Sequence, residues 1–295
     1  LFILLVGPPC AEMLHVWMVS GEELITVPVE ELGDVRALKH HLRAKRSLPI
    51  CLQQLLHDGS RLDDMQQLGV PMDIQLVLLS QASAAQAGRE LLEAARNGEV
   101  GAARMLVDAG AEKDSTDRWG MTPLTCASAY GHVEIARLLL EAAAAVDLPD
   151  RQGNTALILA TANGHIEAVR LLFGVGATID MTDRDGRTAL SWASSTGHVK
   201  AAELLLEAGA AKNAMDNQLN TSLIWASGNG HVEILRLLLE VGAAKNCKDQ
   251  HGRTALMRAA ANGRAEAVRL LLEAAADLDL TDLQGRTALM GASAK

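Results

Sequence analysis

The chain has 295 residues, of which 49% are hydrophobic, and it carries a formal net charge of −9 at pH 7. This acidic balance argues against a nucleic-acid backbone as the main partner and against membrane attachment by a basic face, because both depend on concentrated Lys and Arg. Aromatic residues make up only 2% of the chain, which favours helical repeats filled with Ala, Leu and Val over a single globular core.

Four cysteines lie far apart and form no CxxC pair: Cys10, Cys51, Cys126 and Cys247. They predict neither a zinc site nor a disulfide framework, so we expect no metal and no cofactor. A reducing compartment is the simpler interpretation, and we expect a cytoplasmic protein, with the nucleus as the alternative.

Residues 1–12 form an uncertain extension before Met13. Its apolar start, Leu1–Val6, is far shorter than the roughly 20 residues that span a bilayer. Because a charged first region is missing, we interpret the extension as sequence upstream of a natural start at Met13. The tail of a signal peptide is the alternative.

Residues 13–80 predict a small α+β domain. Two β-rich runs separated by a turn at Ser20 and Gly21 indicate a hairpin. Apolar residues then recur at helical spacing over Val35–Leu42, and two short apolar runs flank the turn at Gly59. The order hairpin, helix, strand, turn, strand is that of a compact β-grasp domain.

Five short motifs occur in order in this segment: Met13-Leu-His-Val-Trp, Asp34-Val-Arg-Ala-Leu-Lys, Leu48-Pro, Gln53-Gln-Leu-Leu-His-Asp-Gly and Leu76-Val-Leu. Together they resemble a ubiquitin-like domain. The resemblance implies a recognition patch that keeps Leu56 and Val77; the alternative is that these two only pack the core. The diglycine tail used for conjugation is absent, because Leu79 runs into Ser80. The resemblance therefore implies a built-in docking module for ubiquitin-pathway receptors.

A small and polar stretch, residues 81–87, is predicted as a linker. A repeat array then covers residues 88–295, with a degenerate first repeat, five full repeats and a truncated last repeat. Atypical terminal repeats are expected as caps, because one of their faces has no neighbour.

From Asp117 onward the sequence repeats every 33 residues, as six threonines show: Thr122, Thr155, Thr188, Thr221, Thr254 and Thr287. This period predicts a solenoid whose units bury their apolar faces only by stacking. In each unit the Asp opens a turn, the Thr caps a first helix, and a Gly such as Gly131 ends that helix before a second one.

Three motifs recur at this period: Gly120-Met-Thr-Pro-Leu, Gly131-His-Val-Glu and Gly209-Ala. They resemble the ankyrin repeat, which implies an α-solenoid that binds proteins across its turn tips and first-helix ends. Leu219 stands where other turns have Gly, and Ala143 and Ala275 stand where other second helices end in Gly. We expect each to cost about 1 kcal/mol if the left-handed backbone is kept.

No catalytic constellation of residues stands out, so we expect no enzyme activity. Histidines recur at His132, His165, His198 and His231. Stacked helices lie about 8–10 Å apart, too far for two rungs to share a zinc ion, so we interpret these histidines as structural. Trp192 and Trp225 occupy the same place in consecutive repeats, and we predict a stacked core pair rather than a ligand cage.

The partner site is predicted on the first full repeat, where Trp119, Met121 and Tyr130 stand out in a chain with few aromatic residues. The alternative is that Trp119 only covers the degenerate repeat. A row of arginines is expected to steer an extended acidic or polar segment. Its members are Arg118, Arg151, Arg184, Arg187 and Arg253.

These features predict a monomeric, non-enzymatic scaffold or adaptor, with protein partners at the repeats and a second partner at the ubiquitin-like domain. The alternative is the regulatory or targeting region of a larger enzyme or channel, whose catalytic or membrane part lies beyond the C-terminal end. This alternative rests on the last repeat, whose first helix begins at Thr287 and is not followed by a second helix.

Overall fold

The computed structural model describes residues 13–18, 20–28, 32–68, 73–78 and 83–292. The extension at residues 1–12 lies outside the described residues, as do residues 79–82, where the first domain is predicted to end and the linker to begin. The chain divides into two compact units, Leu1–Ser115 and Thr116–Lys295. Within the described ranges, no helix is long and apolar enough to cross a bilayer.

The first unit contains a five-stranded mixed sheet. Its strands are β1 (Met13–Met18), β2 (Glu23–Pro28), β3 (Gln53–His57), β4 (Ser60–Arg61) and β5 (Asp73–Leu78). They lie in the order β2-β1-β5-β3-β4. β1 pairs antiparallel with β2, as the predicted hairpin requires, and parallel with β5. Helix α1 (Val35–Arg46) and a 3₁₀ turn at Ile50–Leu52 connect β2 to β3.

Alternating burial along the central strands builds the core of this small α+β domain. Leu14 and Val16 of β1, and Ile74 and Leu76 of β5, are fully buried. Their neighbours along each strand point to the opposite face, because successive side chains of a strand alternate. Helix α1 covers the inner face and packs its buried stripe, which includes Leu38, against these residues.

Helices α2 (Ala84–Asn97) and α3 (Val100–Asp108) follow, where the degenerate first repeat is predicted. Helix α2 begins inside the predicted linker. Two features of the sequence explain this start. The Ser83 hydroxyl accepts a hydrogen bond from the backbone N–H of Gln86 at 3.3 Å, and the alanines that follow have the highest helix propensity.

Helix α2 packs against the sheet domain through polar contacts. The Arg43 guanidinium of α1 lies 2.6 Å from the carboxylate of Glu93 and 3.5 Å from that of Glu99. The backbone N–H of Cys51 donates to a carboxylate oxygen of Glu90 at 2.8 Å. The sheet domain and the helix pair α2 and α3 therefore belong to one compact unit.

The described part of the second unit contains five helix pairs and a last single helix. They are α4 (Pro123–Tyr130) and α5 (Val133–Glu141), α6 (Ala156–Ala162) and α7 (Ile166–Gly174), α8 (Ala189–Thr196) and α9 (Val199–Glu207), α10 (Ser222–Asn229) and α11 (Val232–Glu240), α12 (Ala255–Ala261) and α13 (Ala265–Glu273), and α14 (Ala288–Ala292). First helices pack on the first helices of adjacent repeats, and second helices on second helices, which makes this unit a solenoid-like stack.

The predicted roles of the repeating residues are confirmed. The Thr122 hydroxyl accepts from the backbone N–H of Thr125 at 3.2 Å and caps α4. The Asp117 carboxylate accepts from the backbone N–H groups two and four residues later, at 2.8 and 3.0 Å. Gly131 ends α4 with a φ of 73°. The same pattern of caps and turns recurs along the array, and it fixes where each turn tip projects.

Within the described part of the second unit, three residues other than glycine also adopt the left-handed conformation. The φ angles are 60° at Leu219, 61° at Ala143 and 55° at Ala275, as their positions in the repeat predict. Adjacent turns are joined by backbone hydrogen bonds, such as that from the N–H of Arg151 to the carbonyl of Trp119 at 2.9 Å. This ladder holds neighbouring turn tips side by side.

Candidate protein-binding face of the repeats

Two exposed aromatic side chains lie on the first full repeat. Trp119 at the turn tip is 49% exposed, and Tyr130 at the end of α4 is 53% exposed. The guanidinium carbon of Arg118 lies 3.9 Å from the Trp119 ring centroid, and the Tyr130 ring stacks on His132 with centroids 6.2 Å apart. These contacts orient large amphipathic rings at the surface, where a partner can cover them.

Met121, the third residue singled out on this repeat, is only partly exposed. Its backbone N–H donates to the Asp117 carboxylate at 3.0 Å and ties the residue into the turn. Trp119 and Tyr130 therefore present more apolar surface to a partner than Met121 does.

The predicted arginine row divides into two groups. Arg118, Arg151 and Arg184 are exposed at their turn tips. Arg187 and Arg253 are partly buried, and each directly precedes the threonine that caps the next first helix. Arg286 occupies the same place in the last repeat, although the sequence analysis did not include it.

The arginines of the second group differ in how their charge is satisfied. The Nε atoms of Arg253 and Arg286 each donate to the aspartate of their own turn, at 2.9 Å to Asp249 and 2.9 Å to Asp282. Arg187 makes no such bond. The guanidinium carbon of Arg187 instead lies over two indole rings, 5.0 Å from the centroid of Trp192 and 4.4 Å from that of Trp225.

This arrangement corrects the prediction that Trp192 and Trp225 form a stacked core pair. Both are only partly buried, and Arg187 contacts the ring of each. Their indole N–H groups donate to turn aspartates of their own repeats, to Asp183 at 2.9 Å and to Asp216 at 3.0 Å. The two tryptophans of the first helices are therefore anchored by their polar edges to the turns of their own repeats. We call the surface that they form with Arg187 the arginine and tryptophan groove.

Arg258 belongs to the same groove and was not recognised from the sequence. It lies in α12 at the repeat position of Trp225, and its guanidinium carbon is 6.0 Å from the Trp225 ring centroid. Burial lowers the pKa of Arg258, and the nearby charge of Arg253 lowers it further, while Asp249 and Asp216 act in the opposite direction. The sequence does contain a signal for this residue, because Trp192, Trp225 and Arg258 occupy the same position in three consecutive repeats.

Three of the histidines that recur at this period contact the repeat before them. The Nε2 atoms of His165, His198 and His231 lie 3.0, 3.0 and 3.1 Å from backbone carbonyl oxygens of the preceding repeat. Among the residues that the structure describes, no group of three His, Cys, Asp or Glu side chains could hold a metal ion. Each of these histidines therefore joins one repeat to the next.

The comparison with protein families agrees with this repeat geometry. The family described as "Ankyrin repeats (3 copies)" matches residues 91–183, 173–249 and 241–295. The chain belongs to the ankyrin-repeat family. A search of curated proteins finds no match. Ankyrin repeats typically serve as non-enzymatic protein-interaction modules, and no catalytic family matches the chain.

The sheet domain lies outside the ankyrin match, and it presents the two residues of the predicted recognition patch. In β3, Leu55 is buried and Leu56 points to the other face. In β5, Leu76 is buried and Val77 points to the other face, where it pairs with Gln54. Leu56 and Val77 therefore share the outer face of the sheet instead of packing into its core.

Proposed function

We propose that this ankyrin-repeat protein is a non-enzymatic scaffold or adaptor that holds two protein partners. One partner binds the turn tips and first-helix ends of the repeats, centred on Trp119 and Tyr130. The other binds the N-terminal domain, which we propose to be a ubiquitin-like β-grasp domain. The observation that carries the proposal is the exposure of Trp119 and Tyr130, the two most exposed aromatic side chains of the repeats.

The chemistry of these side chains supports this choice. Trp and Tyr supply a large buried area for few rotatable bonds and dominate the binding energy of many interfaces. The Arg118 guanidinium on Trp119 adds a cation that an acidic partner residue can meet. Met121, Arg151 and Arg184 extend the face along the turn tips.

The experiment compares the proteins that the chain captures from a cell lysate, quantified by mass spectrometry. The test variant carries Trp119→Ala with Tyr130→Ala. The control carries Val175→Ala with Val241→Ala, two exposed apolar residues that follow second helices. We expect that some proteins are captured by both the wild type and the control but not by the test variant. Capture that is unchanged in the test variant would contradict the proposed site.

The docking role of the sheet domain is tested separately. Leu56 and Val77 are partly exposed on the outer face of the sheet. Apolar residues there support a protein-binding patch, because the solvated face of such a sheet is normally polar. We expect immobilised ubiquitin-receptor domains to bind the chain and to lose binding with Leu56→Ala and Val77→Ala. Leu78→Ala, in the same strand, is the control. If no receptor domain binds, the proposed docking of ubiquitin-pathway receptors is wrong, while the proposed binding of a partner to the repeats is unaffected.

A further inference from the structure

Arg187 has lost the intramolecular partner that its equivalents keep. At the same repeat position, Arg253 and Arg286 donate from Nε to the aspartate of their own turn. In the repeat of Arg187, that aspartate is Asp183, and its Oδ2 atom accepts from the indole N–H of Trp192 instead. A tryptophan four residues after the capping threonine therefore displaces the arginine from its own turn.

Two indole rings lie close to the displaced guanidinium of Arg187, and its Nε atom makes no hydrogen bond within the described part of the chain. The rings are those of Trp192 and Trp225, and the nearest carboxylate, that of Asp216, is 4.0 Å from Nε. That distance is too long for a hydrogen bond. The Nε atom is buried without a hydrogen-bond partner among the described residues, yet 20% of the Arg187 side chain remains exposed. A planar fork of donors on a partly exposed side chain with aromatic neighbours suits a carboxylate.

Arg258 repeats these properties one repeat beyond Trp225. Its nearest carboxylate oxygen, on Asp249, is 3.7 Å away, and its Nε atom has no hydrogen-bond partner in the described part of the chain. The side chain keeps 22% of its surface exposed. Arg187 comes from the repeat before Trp225 and Arg258 from the repeat after it. Two guanidinium groups whose nearest carboxylates are too far for a hydrogen bond therefore approach one indole ring.

The two carboxylates nearest to Arg187 and Arg258 already accept hydrogen bonds from their own repeats. Asp216 accepts from the backbone N–H groups of Gln218 and Asn220, at 2.9 and 2.8 Å, and from the indole of Trp225. Asp249 accepts from its own turn and from Arg253. Their turns hold these carboxylates 4.0 Å from Arg187 and 3.7 Å from Arg258, so a carboxylate from a partner could supply the hydrogen bonds that the two ion pairs lack.

We propose that Arg187 and Arg258, on either side of Trp225 in the repeat order, bind two carboxylates of an acidic peptide segment that lies extended across the repeats. This inference rests on the proposed scaffold function and names the partner chemistry of a second part of its binding face. Stacked repeats lie about 8–10 Å apart, and an extended peptide rises about 3.3 Å per residue. The guanidinium carbons of Arg187 and Arg258 lie 4.4 and 6.0 Å from the same ring centroid, so they are at most about 10 Å apart. Acidic side chains three residues apart on an extended peptide can therefore reach both.

The net charge of −9 favours a peptide over a nucleic acid as the source of these anions. A polyphosphate backbone needs many cations along its length, and it would be repelled by the rest of an acidic surface. A short peptide with spaced carboxylates places its charge only where the two arginines lie.

The test measures fluorescence anisotropy of a fluorescein-labelled twelve-residue peptide of Ser and Ala that carries two Glu residues three positions apart near its centre. Its control has Gln in place of each Glu. The full chain should bind the Glu peptide, should bind the Gln peptide at least about tenfold more weakly, and should lose Glu-peptide affinity as salt is raised. Equal binding of both peptides would overturn the proposal. So would tighter, Arg187-dependent binding of single-stranded DNA.

Single substitutions test which arginines bind the Glu peptide. Arg187→Gln and Arg258→Gln should each weaken Glu-peptide binding about tenfold. Arg286→Gln removes the same charge from an arginine that is paired with its own turn, so it should change binding less than about twofold. An equal loss in Arg286→Gln would show general charge attraction and overturn the assignment.

A variant without any charge change gives the sharpest result. Trp192→Phe keeps a ring but removes the N–H, which frees Asp183 to pair with Arg187 as Asp249 pairs with Arg253. We expect this variant to stay folded by circular dichroism and to bind the Glu peptide several-fold more weakly. Unchanged binding would overturn the proposed release of Arg187. Loss of partner capture in the Trp119 and Tyr130 variant is a separate readout, so failure here and failure of the scaffold function are distinguishable.

Discussion

The imidazole Nε2 of His198 lies 3.0 Å from the backbone carbonyl oxygen of Ala162, which is 36 residues earlier in the chain. His165 and His231 make the same contact with the repeats before them. In the following repeat Arg264 takes this place, with its Nε 3.5 Å from the corresponding oxygen. A side chain at the start of each of these second helices thus satisfies a carbonyl near the end of the preceding repeat's first helix.

We predict that His198→Ala lowers the free energy of unfolding by about 1 to 2 kcal/mol, because the Ala162 carbonyl loses its partner. The ring also packs on Gly164, where an added Cβ would lie 2.7 Å from it. Urea unfolding followed by circular dichroism measures the change. His251→Ala, at an exposed turn position, is the control and should change stability by less than about 0.5 kcal/mol. Equal losses would refute a specific role for His198.

A second prediction concerns the strained turn at Leu219. Its φ of 60° is unfavourable for a residue with a side chain, and a Cβ at the equivalent Gly186 would lie 2.9 Å from the N atom of Asn217 in the next turn. Leu219→Gly relieves both effects and should raise the free energy of unfolding by about 1 kcal/mol.

Ala143→Gly is the matched comparison for this turn. Its φ of 61° is equally left-handed, but a Cβ at the equivalent Gly209 meets nothing within 4 Å. Only the backbone strain is relieved there, and the greater flexibility of the unfolded chain offsets part of it. Thermal unfolding of both variants should therefore show a larger gain for Leu219→Gly. A gain no larger than that of Ala143→Gly would contradict the crowding argument.

Much of this fold could be predicted from sequence because each repeat carries its own local signals. Threonine caps, turn aspartates and left-handed glycines act within a few residues, so Thr122, Asp117 and Gly131 behave as their spacing predicts. The start of α2 at Ala84 was missed for a different reason. A small polar stretch was interpreted as a linker, although Ser83 followed by alanines is a good helix start.

The arginine and tryptophan groove could not be predicted in this way. Whether Trp192 packs in the core or lines a groove depends on competition with Arg187 for one oxygen of Asp183. The position of Trp192 depends as well on Trp225, which lies in the adjacent repeat, 33 residues later in the sequence. The sequence pattern of one repeat therefore does not predict contacts that depend on side chains of two repeats.

The two leucines of β3 give a third prediction, which separates core from surface in the sheet domain. Leu55 is 1% exposed and Leu56 lies on the outer face. Leu55→Ala should lower the free energy of unfolding by about 2 to 5 kcal/mol, because it leaves a cavity. Leu56→Ala should cost less than about 1 kcal/mol. Urea unfolding of both variants measures the difference. A loss of stability in Leu56→Ala as large as that in Leu55→Ala would show that Leu56 packs in the core.

The last prediction concerns the pH dependence that Cys51 imparts to the first unit. Burial, together with the charge of Glu90 and a hydrogen bond to it, raises the pKa of the Cys51 thiol from 9.0 to about 12. Below about pH 9 the thiol is protonated in both the folded and the unfolded chain, so it has no effect on the pH dependence of stability. Above that pH only the unfolded chain ionises, and the free energy of unfolding falls until about pH 12.

Cys51→Ser should remove this part of the pH dependence. Urea unfolding at pH 8 and pH 10 would show a smaller loss of stability on raising the pH in Cys51→Ser than in the wild type. Glu90→Gln keeps Cys51 buried but removes the carboxylate, so its pH dependence should fall between the two, since burial is the largest cause of the raised pKa. If Cys51→Ser and the wild type lose equal stability between these pH values, the thiol is not shielded by the contact between α2 and the sheet domain.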